Sequence, residues 1–329
     1  MTDHVPGRET VRQAIELATR APSVHNTQPW RWQVDDHATI RLFADRTRQV
    51  PVTDPDGRDL VLSCGAALHH LRVALAALGW TGVVRRLPDP TDASLLAVVG
   101  ARRRVPGRDD LGLADAIRRR QTDRRRYSWW PMPPEYLQVL ADAAAGEGGH
   151  ACVVTDPAAR FHLAGAIAQA AVVQESNPDY AVEMAIWSGR RPGSDDGVLA
   201  ASVPLVNDAA TTPRQRAFSH GTLAQPTRKR YGELASMLVV ATPGDDRLAH
   251  LRAGEATSAV LLHAARLGIA TCPMSQPLEI ADTRRTVQRE VLGGEAVPQL
   301  LIRLGWAPPD AAPIPRSPRR DLDDVLSVS

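Results

Sequence analysis

Apolar positions along the chain fall into blocks whose spacing predicts its elements. Glu9 to Arg20 puts Val11, Ile15 and Leu17 or Ala18 on one helix face, and Pro22 ends it. A polar loop, Ser23 to Pro29, leads into an alternating strand, Trp30 to Val34, and Thr39 to Phe43 reads as a second strand. Leu60 to Leu78 is a long apolar helix stopped by Gly79, and Leu95 to Val99 is a short buried strand. The order then recurs. Pro133 to Ala145 reads as a helix opened by prolines, Ala151 to Val154 as a strand, and Ala158 to Trp187 as mostly helical. Met237 to Ala241 is a strand, Leu248 to Leu267 a helix stopped by Gly268, and Gln299 to Leu304 a strand.

The two long apolar helices align. Gly65 to Gly79 and Gly254 to Gly268 stand 189 residues apart throughout and space their glycines equally. Ala67 matches Ala256, Ala76 matches Ala265 and Leu78 matches Leu267. Alanine-rich helices match readily by chance. The shared order of elements adds weight: a strand precedes each helix, and a strand ending in Gly100 or Gly305 follows. Together they predict a doubled domain rather than a solenoid. The segment 177–230 has no counterpart. It holds Trp187, Gly189, Gly193, Gly197, Pro204, Pro213 and Pro226 with little periodicity. Its apolar content, Val198 to Ala201 and Val203 to Val206, predicts a packed lid rather than a disordered insert.

Composition narrows the class. A chain of 329 residues with 43 % hydrophobic content builds a core without disulfide or metal support. Cys64, Cys152 and Cys272 form no CxxC pair, which fits a reduced, cytoplasmic protein, and the polar first dozen residues lack a signal-peptide core. No run of about 18 consecutive apolar residues predicts a membrane span. A net charge of +2 gives no global pull toward nucleic acid or membrane. Lys229 is the sole lysine among 39 basic residues, so an isolated arginine carries little weight and only arginine clusters count. His69 and His70 are adjacent and diverge on a helix, and no HExxH, GxGxxG or GxxxxGK[ST] pattern supports a metal, dinucleotide or P-loop site.

Four segments could carry chemistry. Arg20 to Trp32 (RAPSVHNTQPWRW) is dense in donors and acceptors; by composition it reads equally as a helix stop plus turn. Arg118 to Arg126 holds six arginines in nine residues. It is either a solvated basic face or a phosphate clasp, with Arg120 and Arg124 as bidentate donors around the Thr122 hydroxyl. Gly268 to Leu278 reads as a loop after a core helix. The tail Pro315 to Val325 reads as a charged terminus or a second basic patch.

The run APSxxNxQPWRW resembles the flavin-facing segment of the nitroreductase family, and RRQTDR resembles the RRSxR start of that family. The resemblance implies an α+β nitroreductase-like fold, a central mostly antiparallel sheet flanked by helices, with FMN as cofactor. It assigns Ser23, His25, Asn26 and Gln28 to the flavin loop and Arg120, Thr122 and Arg124 to the phosphate. It places Met274, Ser275 and Gln276 opposite flavin N5 and O4, and Arg316, Ser317 and Arg319 in a closing basic patch. Gln121 and Thr122 depart from the family's Arg and Ser, and Gln276 stands where glycine is common. Each half keeps what the other lacks. Residues 1–115 therefore read as one nitroreductase-like half and 116–329 as the second, with the lid inserted at about 177–230. This resembles the Acg-type branch, in which one chain mimics the family's homodimer and builds one FMN site per chain. The implied activity is an NAD(P)H-dependent reductase of nitroaromatic or quinone-type acceptors, working as a monomer. The alternative is a catalytically silent protein that sequesters FMN beneath its lid.

Overall fold

A computed structural model describes residues 5–205, 216, 218, 220–224, 235–309 and 311–328. In chain order the elements are α1 (Arg8–Ala18), β1 (Trp30–Val34), β2 (Ile40–Ala44), α2 (Arg58–Ala77), β3 (Trp80–Arg86), β4 (Leu95–Arg103) and α3 (Arg108–Arg119). There follow α4 (Pro134–Gly146), β5 (His150–Val153), α5 (Pro157–Glu175), α6 (Pro178–Trp187), β6 (Ser236–Thr242) and α7 (Arg247–Arg266). The chain ends with β7 (Ala270–Met274), α8 (Ala281–Thr286), β8 (Val297–Gly305), α9 (Leu322–Val325) and β9 (Leu326–Val328). The expected helix from Ala158 to Trp187 is broken after Glu175: Asn177 caps the next helix through the amide of Asp179, and Pro178 opens it.

The strands form two sheets rather than one central sheet. One runs β3-β4-β2-β1-β9 and the other β5-β6-β8-β7. Every pairing is antiparallel except β1 with β9. Read from the strand after each long helix, the orders β3-β4-β2-β1 and β7-β8-β6-β5 are the same. Gly79 and Gly268 end the two helices with φ of +88° and +74°, the left-handed cap that only glycine adopts freely. Gly268 to Leu278, expected as a loop, is thus strand β7 followed by a single tight turn over Gln276–Leu278. Pro273 is tolerated because β7 is an edge strand.

The helices α2 and α7 cross in backbone contact between the sheets. A methyl group on Gly65 would collide with the Leu251 carbonyl oxygen and stand 3.0 Å from Cα of Gly254. One on Gly254 would collide with the Leu62 carbonyl and stand 2.8 Å from Cα of Gly65. The contact is reciprocal, as across a two-fold axis. Among the described residues α2 is the one helix long and apolar enough to cross a membrane, but it is buried as the centre of the core. Close to this crossing, Glu255 is fully buried and holds Arg86 through two contacts of 2.7 and 2.8 Å and Arg72 at 3.0 Å. Arg72 also pairs with Glu147.

Candidate functional site

A cavity of about 120 Å³ lies against the cross of α2 and α7. Its wall draws Pro22 to His25 from the α1–β1 loop, Asp59, Leu62, Ser63 and Ala66 from α2, and Thr257 from α7. Thr122 and Arg124 come from the segment after α3, Cys272 to Gln276 from β7 and its turn, and Arg216 and Phe218 from the lid segment.

The α1–β1 loop is held in an unusual conformation. His25, Asn26 and Gln28 have φ of 45°, 57° and 53°, in the left-handed region that non-glycine residues rarely enter. The Ser23 hydroxyl accepts from the Gln28 amide at 2.9 Å, and the Val24 amide donates to Ser63 Oγ at 3.1 Å. Asn26 and Gln28 do not line the cavity. The Asn26 amide donates to the carbonyls of Gly197 and Pro318, and its oxygen accepts from Arg319 at 3.0 Å. Gln28 donates to the Asp195 carbonyl at 2.8 Å and accepts from the Arg320 amide at 3.0 Å. Both therefore tie the loop to the lid segment and the tail. His25 does face the cavity, buried, with Nε2 3.4 Å from Arg216 and its ring edge-on to Phe218. Burial, then Arg216 and Arg124, hold its imidazole neutral far below the usual histidine range.

Beyond α3 the chain runs extended, so alternate side chains share a face. Asp123 and Arg125 pair inward at 2.9 Å, and Arg120, Thr122 and Arg124 turn the other way. Arg124 lies over the Phe218 ring at 4.7 Å. Arg120 is nine-tenths buried, and its Nε and Nη1 meet no partner among the described residues. Burial alone pulls its pKa down to about 10. Arg319 feels its charge and is pulled down to about 9 by burial, then Arg120 and Arg20. It donates to the carbonyls of Thr19, Arg20 and Ala21 at the end of α1. No carboxylate among the described residues pairs with either guanidinium. A buried guanidinium with free nitrogens, within the electrostatic reach of a second arginine, fits an anion with several acceptor oxygens.

Met274, Ser275 and Gln276 reach the cavity. The Ser275 hydroxyl donates to Glu279 at 2.6 Å, and Gln276 donates to Gln174 at 3.0 Å while its own oxygen stays buried without a partner. Arg316 and Ser317 are exposed, and none of the tail trio lines the cavity; Arg319 alone is tied to the α1–β1 loop, through Asn26. The lid segment is packed where it is described: Val198, Leu199, Val203 and Leu223 are buried, and Arg216 pairs with Glu279 and donates to Tyr180 at 3.0 Å. The remainder of the expected lid, including Val206 and Pro213, lies outside the described residues.

Asp59, Ser63, Thr257, Arg216 and Phe218 were not predicted for the site. The first three sit inside helices that read as apolar core, where only an isolated polar residue every turn signals a second role. Asp59 pairs with Arg58 at 2.8 Å and leaves Oδ2 buried without a partner among the described residues. Beside it, burial and then the charge of Asp59 push Asp54 up to about 7.

These shifts set a pH dependence. His25, His69 and His70 stay neutral in the fold, His69 down to about 3, while the unfolded chain protonates them near 6.5. Their contribution to stability is present above about 6.5 and lost as pH falls. Asp54 acts oppositely: it keeps its proton in the fold up to about 7, so its contribution is lost as pH rises through that value. Three groups outweigh one, so the Tm of the apoprotein should fall between pH 7 and pH 5. A Tm that rises on acidification would contradict this balance.

Two sheets with the same strand order, packed around a crossed helix pair, with a cavity against the crossing, define an α+β protein. The chain belongs to the nitroreductase family: the family model described as "Nitroreductase family" matches residues 117–306. Rv3131 of Mycobacterium tuberculosis H37Rv, provisionally named an NAD(P)H nitroreductase, is 47 % identical over 327 residues, covering 99 % of this chain and 93 % of the relative. The protein acg of the same organism, with the same provisional name, is 34 % identical over 343 residues, covering 100 % and 98 %. Among solved structures, the FMN-dependent nitroreductase NfnB of Mycobacterium smegmatis in complex with NADPH aligns at a TM-score of 0.41 and 19 % identity, over 66 % of this chain and 99 % of that one.

Proposed function

We propose that the protein is an FMN-binding oxidoreductase that accepts hydride from NAD(P)H, with one FMN per chain. The observation that carries this reading is a cavity lined by Ser23, His25, Thr122, Arg124 and Met274 to Gln276, two residues along the chain from the buried, unpartnered guanidinium of Arg120, whose charge is felt by Arg319. Arg120 and Arg319 would hold the phosphate, and the α1–β1 loop and the turn after β7 would hold the ring. FMN bound there supplies hydride transfer between a nicotinamide and a nitroaromatic or quinone-type acceptor. The chain's own work is to bind, to orient and to keep water out; Arg124 and Arg216 lend positive charge to the ring's surroundings, and His25 remains an uncharged wall.

The same reading takes 1–115 and 116–329 as two copies of one module that meet at Gly65 and Gly254. With the 189-residue offset, the cavity residues Ser63, Ala66 and Ser275 correspond to Arg252, Glu255 and Arg86. The place where a second, symmetry-related cavity would lie is therefore filled by the Arg86–Glu255–Arg72–Glu147 ion cluster. This supports a single site and a monomer that carries its own interface. Purified protein should bind FMN at a 1:1 ratio, and two per chain would overturn this account.

A specific observation favours a second reading, a protein that stores FMN without turnover. The lid segment anchors to the flavin loop through Asn26 and Gln28, and Arg216 and Phe218 occupy the cavity wall where a nicotinamide would need to stack. Anaerobic mixing of the holoprotein with NADPH and NADH decides between the two. Bleaching of the flavin within seconds supports the reductase; reduction by dithionite alone supports storage. If the lid gates access, Glu279→Gln, which removes the charge that holds Arg216, should speed bleaching by roughly tenfold. An unchanged rate would remove this ion pair from gating.

A further inference from the structure

The polar atoms that this reading leaves unused lie on the floor of the cavity and one helical turn beyond it. Asp59, Ser63, Ala66 and His70 recur at helical spacing along one face of α2. The first three line the cavity, and His70 carries the same face one turn further. At 1.5 Å per residue the stripe is about 16 Å long, enough to run under a ligand with a ring at one end and a phosphate at the other.

His70 is fully buried. Its Nδ1 lies 3.0 Å from the Ala66 carbonyl oxygen and 2.8 Å from Ser258 Oγ. A carbonyl oxygen only accepts, and the Ser258 hydroxyl has a second acceptor in His69 Nδ1, 2.8 Å away; with its hydrogen there, His70 Nδ1 carries the ring hydrogen and Nε2 presents a lone pair. That lone pair is buried and meets no donor among the described residues. Burial, then Arg120, keep the ring from taking a proton, so Nε2 remains an acceptor. Next to Ser258, Thr257 Oγ1 lines the cavity and is also buried without a partner. Buried acceptors without donors are rare in folded proteins and call for a ligand that brings the hydrogen. A phosphate at neutral pH brings almost none; a hydroxyl does.

We infer that His70 Nε2 and Thr257 Oγ1 bind hydroxyl groups of a polyol chain that spans the space between the ring-lined cavity and Arg120. The inference rests on the FMN reading, since FMN carries such a chain between its ring and its phosphate, and it assigns two binding residues that no sequence motif marks.

Three flavins separate the possibilities: FMN, riboflavin, which lacks the phosphate, and lumiflavin, which lacks the polyol chain. Each is titrated into the apoprotein and followed by flavin fluorescence. His70→Leu should weaken FMN and riboflavin alike by about tenfold and leave lumiflavin at the parent's affinity. His70→Gln, whose amide oxygen reaches about as far as Nε2, should recover most of the loss. Thr257→Val, which keeps the shape, should show the same selective pattern even if His70→Leu fails to fold. Riboflavin binding that is unchanged in both His70→Leu and Thr257→Val would overturn the inference. So would an equal loss of lumiflavin, which would mark the residues as structural. A parent protein that binds none of the three overturns the FMN reading, and this inference with it.

Discussion

Gly65→Ala is expected to destabilise the fold severely, and Gly254→Ala by a similar amount. Each added methyl group meets not a side chain that can turn aside but the carbonyl and Cα of the opposite helix. The helices can relieve this only by moving apart, which opens the packed contact between α2 and α7. Overpacking typically costs about 1–3 kcal/mol, and a clash with rigid backbone puts these variants at or beyond the upper end, against a total stability of about 5–15 kcal/mol. The reciprocity of the contact gives a further expectation. Once one methyl group has separated the helices, the second finds room, so the double variant should be little worse than either single one. Gly100→Ala is the control, since a methyl group there meets nothing within 4 Å. Denaturant titrations followed by far-ultraviolet circular dichroism measure all four. If both core variants stay within about 1 kcal/mol of the parent, the helices do not meet as closely as described.

What the amino-acid pattern makes legible follows from where each residue sits. The interior elements announce themselves: α2 and the middle of α7 are largely apolar or small because most sides meet protein, and β1 alternates because one face is buried. The edge strands β3 and β7 do not. Gly82 and Pro273 interrupt them, and an edge tolerates both because half of its backbone groups need no ladder partner. Strand β9 is three residues long and owes its form to β1, far away in sequence.

The site divides in the same way. Ser23 to Gln28 and Arg120 to Arg124 are visible because polar residues crowd together without a periodic apolar partner. The structure separates their roles: Ser23, His25, Thr122 and Arg124 face the cavity, whereas Asn26 and Gln28 brace the loop. Of the tail, Arg319 is drawn in by the free carbonyls at the end of α1 while Arg316 and Ser317 stay in solvent, a distinction that composition cannot make. His70 and Thr257 look like core residues in the chain, and only their unpartnered atoms mark them out.

Arg120→Leu should have opposite effects on the empty and the loaded protein. In the apoprotein the guanidinium is buried with two nitrogens unpartnered and another arginine within electrostatic reach, so its charge opposes folding. Leucine there removes that opposition, and the apoprotein Tm should rise. In the holoprotein the same residue would supply charge-assisted hydrogen bonds to phosphate, about 1.5–3 kcal/mol, so FMN affinity should fall by about 10- to 150-fold. Riboflavin affinity should stay near the parent's, because only the phosphate is lost to the contact. Arg319→Leu should also weaken FMN, but it should lower the apoprotein Tm, since that side chain satisfies three carbonyls at the end of α1. Thermal melts with and without FMN, beside fluorescence titrations with both flavins, test the two variants together. An apoprotein destabilised by Arg120→Leu, with FMN affinity unchanged, would make Arg120 an ordinary structural arginine and would leave the phosphate without its principal partner. Stability that rises while phosphate binding falls is the signature of a residue kept for its ligand rather than for the fold.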